Sequence, residues 1–251
     1  MIPSLGLLRS LIVYRRPGRQ RSLRQLYRPF VSPGDLVFDV GAHLGDRSSA
    51  FAALGARVVA LEPEPGVARW LRRFVGRDPR ITIRTEALGP SPGTAHLARS
   101  RDHPTLSTLA HGWRERIAEA NPGFQGVRWE ESVEVPVTTL DALVAEHGVP
   151  SFCKIDVEGF EAEVLAGLSR PLAALSVEFV SGSLEVATAC LERLQELGSY
   201  RFNAIAGEGR NFLWPEWRDA VATRHWLASG ADGISSGDLY ARLDPPTPRD
   251  P

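Results

Sequence analysis

Several residue types are scarce in this 251-residue sequence, and each scarcity narrows the reading. There are two cysteines, Cys153 in an apolar strand-like run and Cys190 in a helical run. They form no metal-ligand spacing, so neither a zinc site nor a disulfide framework organises the chain; core packing and a reducing, cytoplasmic setting are the expectation. No apolar run reaches the roughly 18 residues that a membrane-spanning helix needs. Net charge is −1, from 29 basic and 30 acidic side chains, so a general affinity for nucleic acid is not expected. Among the basic residues only Lys154 is a lysine. Such an arginine bias suggests a GC-rich bacterial genome, and it singles out Lys154, whose compact charge and tunable pKa arginine cannot supply.

What is present is enough apolar content, 43% of residues, to bury a substantial single-domain core. The most informative stretch is Val37–Asp46. An apolar run of strand length, Leu36 to Val40, turns through Gly41 and Gly45 into a helical pattern, Arg47 to Leu54, closed by Gly55. Strand, glycine-rich turn and helix form the nucleotide-side half of a βαβ unit. The spacing Asp39-x-Gly41-x-x-x-Gly45 departs from the G-x-G-x-x-G of dinucleotide folds. A carboxylate at the strand end repels a pyrophosphate but can hold a cationic amine, while N–H groups at the helix start can bind a carboxylate. The zwitterionic amino-acid tail of S-adenosylmethionine meets both conditions. The next strand, Arg57 to Leu61, ends at Glu62, where an acid is placed to grip ribose hydroxyls.

Residues 1 to 30 carry seven arginines and no acid. Leu5, Leu8, Leu11 and Ile12 can share one helical face, and Leu23, Leu26 and Tyr27 another. Arg9 interrupts the first apolar stretch, which argues against a signal peptide. A basic helical arm or lid spanning residues 1–32 is expected first, and contact with an anionic membrane surface second. Pro33 and Gly34 then open the main domain, residues 33–244, and a Pro-rich tail, 245–251, is expected to be disordered.

Pro63-Glu64-Pro65 starts a helix whose buried face holds Val67, Trp70, Leu71 and Phe74. Ile81 to Thr85 reads as a third strand, which leaves Glu86 and Ala87 at an adenine end of the site. Between residues 91 and 134 the periodicity weakens to two short strands, Thr94–Ala98 and Val133–Val137, and a helix from Trp113 to Ala120. A stretch this long is read as an acceptor-binding insertion. His103 within it reads as a surface histidine. Thr139 caps a helix from Leu140 to His147.

The second chemical centre is Ser151 to Glu163. With a strand over Phe152–Val157, Lys154, Asp156 and Glu158 alternate along one side. Three ionisable groups in a core strand are costly in a dry interior, so that end is expected to open into a cleft, as ligand sites do beyond the carboxyl ends of open α/β sheets. A strand at Leu175–Phe179 carries Glu178 near its end. Asn211, Phe212, Trp214, Trp217 and Trp226 make an aromatic-rich section that either packs over the sheet or helps select the acceptor. Asp238 to Leu243 reads as a final strand.

Taken together, Phe38-Asp39-Val40-Gly41-Ala42-His43-Leu44-Gly45, Glu62-Pro63, Thr139-Leu140-Asp141 and Lys154-Ile155-Asp156-Val157-Glu158-Gly159-Phe160-Glu161 resemble the motifs of the FkbM family of S-adenosylmethionine-dependent methyltransferases, over roughly Pro33 to Phe179. The resemblance implies an α/β class I methyltransferase fold, Rossmann-like, with a seven-stranded, mostly parallel sheet, helices on both faces and an antiparallel last strand. It implies O-methylation of a sugar or glycosylated natural product. By the same resemblance and the chemistry above, Asp39, Gly41, His43, Gly45, Glu62, Pro63, Glu86, Ala87 and Asp156 are the cofactor-binding set, and Lys154, Asp156 and Glu158 the catalytic set. Asp156 or Glu158 is the expected base for the hydroxyl proton, with Lys154 lowering a neighbouring carboxylate's pKa or accepting the proton itself. A reading without a metal is preferred; a divalent cation on Asp156, Glu178 and a further oxygen is the alternative. Competing functions are a nicotinamide-dependent oxidoreductase, disfavoured by the glycine pattern and Asp39, and a protein that binds S-adenosylmethionine without turnover.

Overall fold

The computed structural model describes residues 18–103 and 106–245; the apolar face from Leu5 to Ile12, Pro104 and the tail beyond residue 245 lie outside the described residues. Strand β1 (Leu36–Val40) is buried along its whole length, as its uninterrupted apolar run requires of a central parallel strand. Around it lie β2 (Arg57–Leu61), β3 (Ile81–Arg84), β7 (Phe152–Ile155), β8 (Ala174–Val180), β9 (Tyr200–Ala206) and β10 (Ser236–Leu243), in the order β3-β2-β1-β7-β8-β10-β9. Every pairing from β3 to β8 is parallel, and β10 runs antiparallel to both β8 and β9. This is the expected seven-stranded, mostly parallel sheet with a reversed last strand.

Side-chain alternation along β1 and β7 sorts the core into two layers. Val37 and Phe152 face α1 (Arg19–Tyr27), α2 (Asp46–Ala53) and α3 (Pro65–Val75). Phe38, Cys153 and Ile155 face α5 (Leu140–His147), α6 (Glu161–Ala166), α7 (Leu184–Leu197) and α8 (Ala220–Ala228). Both cysteines are buried and free, as expected of packing residues. Helix α1 is an integral layer of the first face, which corrects the boundary expected at residue 32. Leu23, Leu26 and Tyr27 are buried, and the Tyr27 ring sits 4.4 Å from Phe51 and 5.6 Å from Phe152. Burying each of those leucines contributes about 1.5–3 kcal/mol, so this apolar face is spent on the core and is closed to a membrane. Among the described residues no helix is long and apolar enough to cross one.

The insertion folds as a small second sheet of β4 (Ala87–Leu88), β5 (Gly93–Arg99) and β6 (Glu131–Thr138), in the order β4-β6-β5, with α4 (His111–Ala120) between its longer strands. The two strands expected there pair antiparallel, while β4, whose two residues were too few to show a period, pairs parallel to β6. Trp113, Ile117 and Phe124 pack with Val180, which fixes the insertion over the end of β8. His103 is exposed at its edge. The aromatic section packs: Trp214 and Trp226 meet edge to face at 5.0 Å inside the second layer.

Candidate active site

The carboxyl ends of β1, β2, β7 and β8 open into a cavity of about 1040 Å³, counting its mouth, roofed by Ser107 and Leu109 of the insertion. Gly41, His43, Glu62, Pro63, Glu86, Ala87, Asp156 and Glu158 all line it, and so do Glu178, Arg47 and Glu208. Asp39, Gly45 and Lys154 do not; they lie behind its wall.

The turn after β1 is built by close approach. A Cβ on Gly41 would lie 1.8 Å from the carbonyl oxygen of Asp156, so only glycine lets the β1 and β7 ends meet. Gly45, expected beside the ligand, has a different reason: its Cβ would strike Leu71 at 2.8 Å and Val75 at 2.7 Å, so its bareness seats α2 against α3. His43 sits between them at φ 53°, and its N–H donates to Glu62 Oε2 at 3.0 Å. Glu62 Oε1 accepts from the N–H of Glu64 at 2.9 Å. Each oxygen has capacity for a further hydrogen bond, and the residue lines the cavity. Burial pushes the Glu62 carboxyl up to about 7, against those two N–H groups, and pushes the His43 imidazole down to about 4, so His43 is neutral at physiological pH. Glu86 is paired with Arg84 and receives the N–H of Thr85 at 3.1 Å. Those contacts, the Arg84 hydrogen bonds foremost, hold it below the usual carboxylate range.

The second centre differs from the simple alternation expected. Strand β7 stops at Ile155, and beyond it the chain turns through Glu158 at φ 56° and Gly159 at φ 88°. Glu161 Oε1 accepts from the N–H groups of Val157, at 2.9 Å, and Gly159, at 3.3 Å, and so closes the turn. Thr108 of the insertion donates to the Glu158 carbonyl at 2.6 Å, and the Trp113 ring lies 2.5 Å from where a Gly159 Cβ would be. Glu158 therefore reaches the cavity from a left-handed turn pinned on three sides.

Lys154 is 1% exposed, in register with Asp39 and Ser176, with its Nζ bonded to Asp156. Burial works against its charge and is outweighed, chiefly by Asp156, so its pKa is raised, the direction opposite to the one a proton acceptor needs. Burial also pushes Asp156 up, and Lys154 and Arg47 pull it below its ordinary value, which keeps it ionised. Burial raises Glu158 and Glu178, and the neighbouring Asp156 charge raises both further. Oxygens of Asp156, Glu158 and Glu178 lie within 4.8 Å of one another, a set that could share protons or hold a divalent cation. Asp39 is also 1% exposed; its Oδ2 accepts from Ser48, its Oδ1 has no partner among the described residues, and its side chain does not line the cavity.

Three buried polar atoms at this cavity have no partner among the described residues: Arg47 Nε, Glu158 Oε2 and Glu178 Oε2. Such atoms are costly unless something completes them, which fits a polar ligand spanning the cavity. Arg47 and Glu208 were not foreseen as site residues. Arg47 could have been found, since it follows the glycine turn directly; Glu208, in the turn after β9, carries no sequence signal.

Comparison with known proteins gives the family of the chain. The methyltransferase FkbM domain family model matches residues 39–203, well over half of the chain. The 31-O-demethyl-FK506 methyltransferase FkbM of Streptomyces tacrolimicus is 29% identical over 216 residues, covering 76% of this chain and 82% of that protein. Among solved structures, a SAM-dependent O-methyltransferase from Thermotoga maritima aligns at 14% identity and a TM-score of 0.46, covering 99% of this chain and 74% of that one. Aeropyrum pernix fibrillarin with bound S-adenosyl-L-methionine aligns at 14% identity and 0.46, covering 91% and 75%. The family match sets the nicotinamide reading aside: this chain belongs to the FkbM family and is an S-adenosylmethionine-dependent methyltransferase.

Proposed function

We propose that the chain methylates a hydroxyl oxygen of a sugar, a glycan or a glycosylated natural product, with Glu158 as the base. The observation that carries this reading is the carboxylate group at the end of the cavity away from Glu62. When bound, S-adenosylmethionine supplies an electrophilic methyl group on a sulfonium. Glu62, with both oxygens oriented by backbone N–H groups, would accept from the ribose hydroxyls, and the cavity-lining Glu86, Ala87 and Pro63 would hold the purine. Asp156, held ionised by Lys154, offers negative charge to the cationic end of the ligand, the part first assigned to Asp39. A hydroxyl is a poor nucleophile until its proton is removed during attack. Glu158 has the free oxygen and the raised basicity for that, and Glu178 can share the proton within the same cluster. Lys154 is a positioning residue that acts through Asp156.

Support for oxygen as the acceptor comes from the name of the Streptomyces relative, which describes methylation at a 31-O position. The test incubates the protein with S-adenosylmethionine and panels of monosaccharides, glycosylated metabolites, amines and RNA, and follows S-adenosylhomocysteine release and product mass. Methylation of a hydroxyl on a sugar-bearing acceptor is the expected result. Turnover confined to amines or RNA would overturn the reading.

A further inference from the structure

Among the described residues, the cavity is lined by six carboxylates, Glu62, Glu86, Asp156, Glu158, Glu178 and Glu208, and by a single arginine or lysine, Arg47. A ligand that brings a carboxylate of its own has one favourable place to put it. Arg47 occupies the first turn of α2, directly after the glycine turn, and its side chain is 14% exposed. One of its donors reaches Glu208 Oε2 at 3.5 Å, a long contact, and its Nε has no partner among the described residues. Nε and Nη2 form one parallel edge of the guanidinium, the edge that binds a carboxylate in bidentate fashion.

Glu208 has partners besides Arg47. It accepts from Arg19 at 3.0 Å and lies 3.5 Å from Arg210, and its side chain is 56% exposed. Burial pushes it up, and the arginines, Arg47 and Arg19 foremost, bring it down to about 2, so it is an anion at any physiological pH. The other acid near the helix start, Asp46, is turned toward α1, bound by Arg19 Nε at 2.6 Å and Gln20 Nε2 at 2.7 Å, and does not compete for Arg47.

We propose that Arg47 is the receptor for the carboxylate of the cofactor's amino-acid end, and that Glu208 is its internal placeholder, holding the guanidinium over the cavity until the ligand carboxylate takes the Nε–Nη2 edge. The inference rests on the family's cofactor and not on the acceptor. It also ties α1 to binding, because Arg19 bridges Asp46 at the helix start and the same Glu208.

The test is calorimetric titration of the full chain with S-adenosylhomocysteine and with 5′-methylthioadenosine, which shares the purine, ribose and thioether but lacks the amino acid. Arg47→Ala is expected to weaken S-adenosylhomocysteine by about 10- to 100-fold and to leave 5′-methylthioadenosine unchanged. Arg47→Lys, which keeps charge but loses the fork, should fall between. Glu208→Gln should tighten S-adenosylhomocysteine alone, by about two- to fivefold. Equal losses for both ligands in Arg47→Ala and Arg47→Lys would make Arg47 structural and overturn the receptor role. Unchanged S-adenosylhomocysteine affinity in Arg47→Ala would overturn it too. Weaker S-adenosylhomocysteine binding in Glu208→Gln would overturn the placeholder. Failure of the unaltered protein to bind either ligand would sink the cofactor-site geometry as a whole.

Discussion

The two ends of the cavity are both acidic, but they are finished differently. At the β2 end, each Glu62 oxygen receives a backbone N–H, and Glu86 is locked to Arg84. At the β7–β8 end, Glu158 and Glu178 each keep a buried oxygen without a partner among the described residues. A carboxylate held by backbone donors is preorganised for one ligand geometry. A cluster of carboxylates sharing too little positive charge instead stores raised basicity, which a proton-abstracting site can use. In the proposed function, one end holds and the other reacts.

The largest effect should come from the reactive end. Glu158→Gln is expected to lower kcat by about 10²–10⁴-fold while S-adenosylhomocysteine still binds, which separates chemistry from holding. Retained turnover in that variant would transfer the base role to Asp156 or Glu178. Next comes the join between the two ends. Gly41→Ala places a Cβ 1.8 Å from the Asp156 carbonyl at φ 77°, and should cost about 2–4 kcal/mol in a urea unfolding experiment. A cost below about 1 kcal/mol would mean that the β1 and β7 ends can part freely and that no rigid join holds the two ends of the cavity. At the holding end, Glu62→Ala should weaken S-adenosylhomocysteine by about 10- to 100-fold, by removing acceptors for two hydroxyls.

The smallest effect is a pH dependence. Glu62 has a pKa of about 7 in the free protein, and hydroxyl donors favour its ionised form. Binding therefore requires loss of a proton below pH 7, and affinity should fall by up to about tenfold per pH unit there, with proton release visible as a buffer dependence of the binding heat. For stability the sign is reversed. A carboxyl whose folded pKa is raised contributes stability that is complete below its unfolded value of 4.5 and is lost as pH rises through about 7. Glu62→Gln should flatten both profiles; an unaltered affinity profile in that variant would place the titration on another group.

The fold and most of the residues that line the cavity were readable along the chain because they depend on local patterns. The buried strand before Gly41, the acid ending β2 and the Thr139 cap are periodicity and turn chemistry, and the structure has them where those patterns put them. Alternation along Phe152–Val157 misled, because two consecutive left-handed residues, Glu158 and Gly159, end the strand early and re-aim Glu158. Asp39 was assigned to the ligand from its place at a strand end; the side-chain face it occupies, toward Ser48 and Lys154, depends on which neighbours β1 acquires. The close neighbours that the bareness of Gly45 admits, Leu71 and Val75 of α3, come from beyond β2 and leave no mark in the local pattern.

By itself the sequence determined the strand–turn–helix frame, the family motifs and the presence of an acidic centre, since each is written in residues a few positions apart. Only the tertiary structure decided that α1 is part of the core, that Lys154 stays charged behind the wall, and that Arg47 meets Glu208. Those outcomes depend on burial and on charges brought together from distant segments, and a side chain's pKa and partners follow from that surrounding field and not from its neighbours in the chain.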